Sequence, residues 1–364
     1  MSHALHILAF YVQNLDPHIF RLGDWAGPLK GWGPRWYGLA YLLGFYFAYL
    51  LIKKNSRDGM LRLNPGLVSD LVLNCCIFGV LIGGRLGYCL FYQPRLLLFT
   101  ADFPYWGVFK VWEGGMSAHG GVVFTILTLI WFGRKYRAQG ATIINIGDAS
   151  CMVVPIGLFF GRCANFINGE LYGHPTTAAW GVKFPSEIYA PTNGKIEPAV
   201  YAKLPGVFAN LKLPIDWFQK DGGMSDGLEI LSRRLLAHDP DTLAAIAKIL
   251  PARHPSQLYE ALLEGLLLFI LCWTIGRLWR KDGMASGAFL TFYPVMRIIG
   301  EQFRVGDTPM SILGLEISKG ILYSLPMVLG GAIYWGYCIV RHKPNVWQPP
   351  PRDAAPPAKP ARPA

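Results

Sequence analysis

The amino-acid sequence predicts an all-α integral membrane protein with about seven transmembrane helices. The 364 residues are 52% hydrophobic and only 16% charged, and the mean hydropathy is +0.30. Soluble domains carry about 25% charged residues, so this composition is typical of a membrane protein. Two further observations support the same fold class: the lengths of the apolar runs and the placement of basic residues between them.

Seven apolar runs are long enough to cross a bilayer, which requires roughly 17 to 25 residues. The predicted spans are residues 35–52, 68–92, 117–133, 143–163, 256–276, 284–303 and 317–340. Glycine or an ionisable residue interrupts some of these runs. The count of seven includes the interrupted runs as spans.

Basic residues follow the first, third, fifth and seventh spans, whereas the other short connections contain few. Examples are Lys53, Arg134, Arg277 and Arg341. Because lysine and arginine accumulate on the cytoplasmic side, this pattern predicts an outside N-terminus and a cytoplasmic C-terminus. The net charge of +11 therefore reflects membrane topology, and we expect no nucleic-acid partner.

The predicted spans divide the chain into five segments. An interfacial segment, 1–34, precedes spans one to four in 35–173. A mixed-charge insert, 174–255, lies on the outer side. Spans five to seven occupy 256–343, and the Pro/Ala-rich residues 344–364 are predicted to be a disordered cytoplasmic tail.

The seven cysteines all lie inside predicted spans. None forms a CxxC pair or stands near a histidine with the spacing of a zinc site. We interpret them as small packing residues, and we expect neither a metal nor another cofactor.

The run GRCANFINGELYG places costly polar groups at the outer end of span four. A charge at membrane depth costs at least about 2.5–3.5 kcal/mol, so Arg162 indicates a functional site. Asn165, Asn168 and Gly169 favour a break in the helix. We predict a broken helix end that lines a cavity, with Arg162 and Glu170 directed inward. The alternative is a simple helix end with Arg162 extending to the headgroups.

The run TFYPVMRIIGEQFR in span six places Tyr293, Arg297, Glu301 and Arg304 on one helix face. Arg297 and Glu301, four residues apart, could form a purely structural ion pair. Such a pair would leave Arg304 over, and arginine suits bidentate binding of phosphate. A phosphate-bearing partner is therefore the favoured interpretation.

The run EGGMSAHGGVVF places His119 among Gly114, Gly115, Gly120 and Gly121, where backbone or ligand can approach closely. Histidine is a plausible proton acceptor near neutral pH. The alternative is a structural histidine.

Three further runs place polar side chains on one face of a predicted span. They are Arg85 and Tyr88 in GGRLGYCLFY, Gln257, Glu260 and Glu264 in RHPSQLYEALLEG, and Tyr37 and Tyr41 in WYGLAYLLG. Interfacial tyrosines are usually membrane anchors, so the last pair alone indicates little. Together these residue types suit an anionic headgroup and the transfer of a proton, and a phospholipid supplies such a headgroup at membrane depth.

GRCANFINGELYG, HGG, HPSQLYE and RIIGEQFR, in their combination and order, closely resemble the motifs of the prolipoprotein diacylglyceryl transferases of bacterial inner membranes. The resemblance covers roughly 35–175 and 255–340. Ala164 stands where the family pattern has glycine, a change between two small residues. The insert is longer and less recognisable than is usual in the family.

This resemblance implies transfer of the diacylglyceryl group from phosphatidylglycerol to a cysteine thiol. That cysteine lies in the lipobox that follows the signal peptide of a prolipoprotein, and the products are a thioether and glycerol phosphate. The implied active site faces the periplasm, and membrane lipids are further partners because both substrates arrive within the bilayer.

The resemblance also implies roles for individual residues. The implied catalytic residues are His119, Arg162, Glu170, Arg297 and Glu301. The implied substrate-binding residues are Tyr37, Arg85, Tyr88, Asn165, Asn168, Gly173, Gln257, Glu260, Tyr293 and Arg304. Deprotonation of the thiol requires a base; His119 is the first candidate, and Glu170 or Glu301 could serve. Arg162 and Arg297 could stabilise the leaving phosphate.

Two other classes of protein also place polar groups inside a membrane. A transporter or lipid flippase would move its substrate without covalent change, but the sequence shows no internal repeat. A scaffold subunit would use the same residues to hold helices together, and it would tolerate a conservative change such as Arg162→Lys.

Overall fold

The computed structural model describes residues 10–23, 25, 27, 31, 33–99, 105–110, 114–191, 194–213, 226–306, 310–312 and 315–341. These residues are mostly helical, with two small two-stranded sheets. The predicted tail, 344–364, lies outside the described residues, as do residues 1–9 of the predicted interfacial segment.

Within the described residues, twelve α-helical elements follow each other along the chain. They are α1 (Trp36–Arg57), α2 (Pro65–Phe91), α3 (Ala118–Lys135), α4 (Ile143–Asn168), α5 (Ser186–Tyr189), α6 (Pro198–Tyr201), α7 (Leu204–Asn210), α8 (Asp226–Leu236), α9 (Pro240–Ile249), α10 (Ser256–Trp279), α11 (Met284–Glu301) and α12 (Lys319–Arg341). Within α4 the helix is interrupted at Met152 and Val153, just before Pro155.

Five of these helices, α1, α2, α4, α10 and α12, are long and apolar enough to cross a membrane. The described part of the chain is thus a mostly helical, multi-pass membrane protein, as predicted. The other two predicted spans form α3 and α11, helices of 18 residues each. The count of seven spans and the direction of the termini remain predictions.

Four short strands accompany the helices in the part of the chain that the structure describes. Strand β1 (Tyr11–Val12) runs parallel to β2 (Val182–Lys183), with Tyr11 opposite Val182. Strand β3 (Met310–Ile312) pairs antiparallel with β4 (Leu315–Ile317). The first pair joins the N-terminal segment to the start of the insert.

The chain forms two compact units, and the first comprises 1–43, 157–268 and 292–329. It contains the C-terminal half of α4, the insert and most of the polar residues singled out above. The insert has a hydrophobic core of its own, in which Leu204, Phe208, Leu231 and Ile246 are fully buried. This core shows that the described part of the insert is folded.

The second unit comprises 44–156, 269–291 and 330–364. Its core includes Ile52, Phe132 and Ile146, each at most 4% exposed. The carboxylate of Asp148 accepts hydrogen bonds from the backbone N–H of Gly283 at 2.6 Å and of Ser286 at 2.8 Å. Because those N–H groups lie at the start of α11 and have no partner within the helix, Asp148 caps that helix.

Candidate active site

The C-terminal end of α4 brings Arg162 against two buried glutamates of α10. Its Nη1 lies 3.0 Å from Oε2 of Glu260, and its Nη2 lies 2.9 Å from Oε2 of Glu264. Both carboxylates are fully buried, whereas the Arg162 side chain keeps 16% of its surface exposed. Arg162 therefore points into the protein as predicted.

A π-helical segment explains how α10 presents both acids. Residues Ala261–Leu267 form this segment directly after Glu260. A π turn is wider than an α turn, and such turns are frequent at functional sites. Glu260 and Glu264, four residues apart, consequently face the same neighbours.

Helix α11 supplies the other arginines of the cluster. Arg297 Nη1 lies 2.6 Å from Glu260, and its Nη2 lies 3.0 Å from Glu301. Arg304 Nη1 lies 3.9 Å from Glu260 and 4.0 Å from Glu301. The sequence predicts that Arg304 lacks an acidic partner once Arg297 pairs with Glu301. This prediction is wrong, because Glu260 of a second helix lies close to Arg304.

The resulting buried charge network contains three arginines and three glutamates, so their formal charges cancel. It consists of Arg162, Arg297, Arg304, Glu260, Glu264 and Glu301. The arginine side chains are 11–16% exposed and the glutamates 0–5%. An approaching group therefore meets the cationic side of the network first. The hydroxyl-bearing Tyr293 also interacts electrostatically with Glu264, Arg297 and Arg162.

The predicted break after Asn168 is confirmed. Helix α4 ends there, Gly169 has φ +67°, and Leu171 has φ +58°. Asn165 Nδ2 donates to Oη of Tyr37 at 2.9 Å and to Oε1 of Glu170 at 2.7 Å. The turn thus directs the Glu170 carboxylate back towards Asn165 in α4.

Two amide side chains are oriented by oxygens of Glu170. Asn168 Nδ2 donates to its carboxylate at 3.4 Å, and Gln257 Nε2 donates to its backbone carbonyl at 2.7 Å. The oxygens Oδ1 of Asn168 and Oε1 of Gln257 are buried and accept no hydrogen bond from the described residues. A buried oxygen without a donor favours a ligand hydroxyl or a water molecule that donates a hydrogen bond to it.

Gly173 lies where two other backbone segments meet. A Cβ at this position would stand 2.6 Å from the carbonyl oxygen of His254 and would also collide with that of Phe303. The N–H of Gly173 donates to the His254 carbonyl at 2.9 Å. Gly173 thus permits a close backbone approach, and its partners belong to the chain itself.

Three of the selected residues belong to the second unit. Arg85 is only 5% exposed, and its guanidinium donates to five backbone carbonyls, those of Gly107, Val108, Lys110, Gly114 and Gly115. Tyr88 packs against Gly115, with Arg85 5.8 Å from its ring centroid. Both residues therefore shape the segment that leads into α3.

His119 is the second residue of α3, after the cap Ser117. Its side chain is exposed. Its neighbour Gly120 permits close helix packing, since a Cβ there would stand 2.7 Å from the Cα of Gly87 in α2. Of the predicted glycine neighbours, Gly120 therefore serves the approach of a helix backbone, and Gly121 has open space around its Cα.

Several residues that hold the site together are absent from the catalytic and binding residues selected by sequence. The spacing of Glu264 places it on one helix face with Glu260, but no role was assigned to it from the sequence. Gln13, Ser186 and Arg253 contact the motif backbone, but they lie in segments without periodic apolar pattern, and nothing in the sequence marks them.

Residues 28–337 match the family model described as Prolipoprotein diacylglyceryl transferase. The chain is 37% identical over 336 residues to the phosphatidylglycerol–prolipoprotein diacylglyceryl transferase of Bdellovibrio bacteriovorus, covering 88% of this chain and 92% of that one. The enzyme of the same name from Sodalis glossinidius is 36% identical over 341 residues, covering 93% and 97%. That from Serratia proteamaculans is 37% identical over 339 residues, covering 91% and 95%.

Proposed function

The chain belongs to the prolipoprotein diacylglyceryl transferase family, and we propose that the buried charge network around Arg162 is its catalytic site. The enzyme transfers the diacylglyceryl group of phosphatidylglycerol to prolipoproteins. The observation that carries the assignment of the site is the pairing of Arg162 with Glu260 and Glu264 at 3.0 and 2.9 Å.

The proposed reaction is a displacement at a glycerol carbon of the lipid. The sulfur of the lipobox cysteine forms a bond to this carbon while the bond from carbon to the phosphate oxygen breaks. The electron pair of that bond leaves with glycerol phosphate, and the thiol proton passes to a base. A thioether-linked diacylglyceryl group remains on the prolipoprotein.

Arg162 and Arg297 stabilise the charge on the leaving phosphate. Their side chains are the accessible part of the network, at 16% and 15% exposure, and the carboxylates behind them are buried. Guanidinium groups match phosphate oxygens geometrically, and donors held in place before the reaction need no rearrangement during it. The glutamates supply that fixed orientation.

The headgroup glycerol lies beside the turn that follows α4. Phosphatidylglycerol offers two hydroxyl groups there, and the unpartnered oxygens of Asn168 and Gln257 are suitable acceptors. Asn165 and Tyr37, joined at 2.9 Å, orient the same headgroup.

His119 is the proposed proton acceptor. Glu170 receives amide donors from Asn165 and Asn168, and Glu301 is paired with Arg297 at 3.0 Å. Donors of the chain therefore already engage both carboxylates. The exposed His119 has no such partner among the described residues.

We infer that the enzyme lies in the inner membrane of a bacterium, with seven spans, the N-terminus and insert outside, and the site facing the periplasm. The alternation of basic residues supports this orientation. Protease added to intact spheroplasts should cleave within 174–255; protection of the insert there, with cleavage only after lysis, would contradict the orientation.

The activity is tested with purified protein in detergent, phosphatidylglycerol and a synthetic lipobox peptide. Mass spectrometry should detect a diacylglyceryl adduct on the peptide cysteine and none on a peptide with serine in its place. Absence of the adduct, despite lipid binding by folded protein, would favour a transporter or a scaffold subunit.

A further inference from the structure

The insert packs directly on the motif that carries the proposed site. Phe184 is fully buried and stacks on Tyr172, with ring centroids 5.5 Å apart. Phe166 packs edge-on against the Phe184 ring, with ring centroids 6.1 Å apart. Both aromatic residues of GRCANFINGELYG thus face the insert, while Arg162 faces Glu260 and Glu264, and Glu170 faces Asn165.

Side chains from outside the motif satisfy its backbone carbonyls where α4 ends. Gln13 Nε2 donates to the carbonyl of Ile167 at 2.6 Å. The hydroxyl of Ser186, in the insert, donates to the carbonyl of Gly169. The last carbonyls of a helix have no partner within it, so these donors determine the path of the following turn.

A buried ion pair holds the other end of this turn. Arg253 binds Glu187 of α5 through two contacts of 2.6 and 2.7 Å, and it also binds Glu197. Arg253 lies 5.0 Å from the ring centroid of Tyr172 and 3.4 Å from the carbonyl oxygen of Gly173. Burial disfavours its charge, yet the two glutamates hold the pKa of Arg253 above its usual value.

We propose that Ser186 and the pair of Glu187 and Arg253 are positioning residues for the transfer reaction. They act through residues 169–173, which they hold so that Glu170 stays on Asn165. This inference rests on the proposed function, and it assigns a role to the insert. Displacing a reacting group by about 1 Å can reduce a rate by about 10²-fold, so loosening the turn should slow the reaction.

The test compares Ser186→Ala and Glu187→Gln with two matched controls in the same insert. Ser232 also donates its hydroxyl to a backbone carbonyl, that of Leu228, and Ser232→Ala controls for Ser186→Ala. Glu229 forms an exposed pair with Arg233, and Glu229→Gln controls for Glu187→Gln. Each purified variant is measured for kcat, for KM with both substrates, for Tm, and for amide hydrogen exchange in 166–173.

For Ser186→Ala and Glu187→Gln we expect kcat to fall about tenfold or more, with KM unchanged and faster exchange in 166–173. We expect both controls to match the wild type. A kcat that is unchanged, or that falls only in proportion to the loss of folded protein, would overturn the inference. If the wild type itself shows no transfer, the proposed function fails and the catalytic part of the inference fails with it. The exchange rates then decide its structural part: faster exchange supports the hold of Ser186 and Glu187 on residues 169–173, and unchanged exchange overturns it.

Discussion

Nη2 of Arg162 lies 2.9 Å from Oε2 of Glu264, and only the arginine side chain retains any exposed surface. The pair is therefore asymmetric: its negative charge is buried behind its positive charge. Arg297 repeats the relationship at 2.6 Å from Glu260. An anionic headgroup can thus contact guanidinium groups whose orientation is already fixed, which is the arrangement that stabilises charge in a transition state.

Glu264→Gln tests the balance of the network. The amide keeps the shape of the side chain but leaves an uncompensated positive charge on the partly buried Arg162 and Arg297. Breaking a buried ion pair costs about 3–5 kcal/mol, so we expect a clearly lower free energy of unfolding in denaturant titrations. The control is Glu229→Gln at an exposed pair, which should change stability little. Equal stability of the two variants would show that the network is not tightly coupled.

Arg162→Lys separates an enzyme from a scaffold. Lysine keeps the charge, but one ammonium group cannot reproduce two contacts with separate carboxylates and still present a flat face to phosphate. We expect kcat/KM to fall about 10²-fold or more in the peptide assay. The exposed Arg233→Lys is the control. Wild-type rates in Arg162→Lys would argue for a role in helix packing alone.

Gly173→Ala should disrupt the site by steric conflict. The added Cβ meets the backbone carbonyls of His254 and Phe303, and backbone cannot move aside as a flexible side chain can. Overpacking of this kind costs about 1–3 kcal/mol or more, so we expect a lower Tm and little activity. Gly161→Ala, in the same motif but with no atom within 4 Å of its Cβ, is the matched control. Similar behaviour of the two variants would contradict this account.

Arg85→Lys should reduce stability more than catalysis. Lysine has three donors in place of the fork that reaches five carbonyls, and each lost hydrogen bond to a charged group is worth about 1.5–3 kcal/mol. We expect a lower Tm, with the activity per folded molecule close to that of the wild type. A large loss of activity at unchanged Tm would instead support direct lipid binding by Arg85.

His119→Ala should abolish transfer without loss of stability. The side chain is exposed, so its removal leaves no cavity, but the thiol loses its proposed proton acceptor. General bases typically contribute about 10²–10⁴-fold to a rate, and a fall in kcat of that size is expected. His174→Ala, at another exposed histidine, is the control. Near-normal kcat in His119→Ala would transfer the role to Glu170 or Glu301.

Spacing along one helix was sufficient to predict several features of the site. Arg297 and Glu301, four residues apart, pair at 3.0 Å, as neighbours on one turn must. The dipeptide Asn168–Gly169 ends α4 because glycine adopts positive φ without strain. These features depend on residues close in sequence, and local geometry determines them.

Contacts between distant segments were not predictable in the same way. Arg304 was expected to be left without an acidic partner, yet Glu260 of another helix lies 3.9 Å away. Arg85 was expected to bind lipid, and it binds five carbonyls of its own chain. The partner of a charged side chain depends on how the helices pack. The spacing of residues along one helix identifies neighbours on that helix, but it does not identify partners on another helix.

The sequence by itself determined the membrane class, most of the helices and the family motifs, because apolar length and residue spacing are properties of short segments. Only the tertiary structure decided that Glu264 pairs with Arg162 and that the insert holds the turn at Gly169 through Ser186. The physical reason is that a buried charge or carbonyl must find a partner. That partner comes from whichever segment folding brings within hydrogen-bond distance.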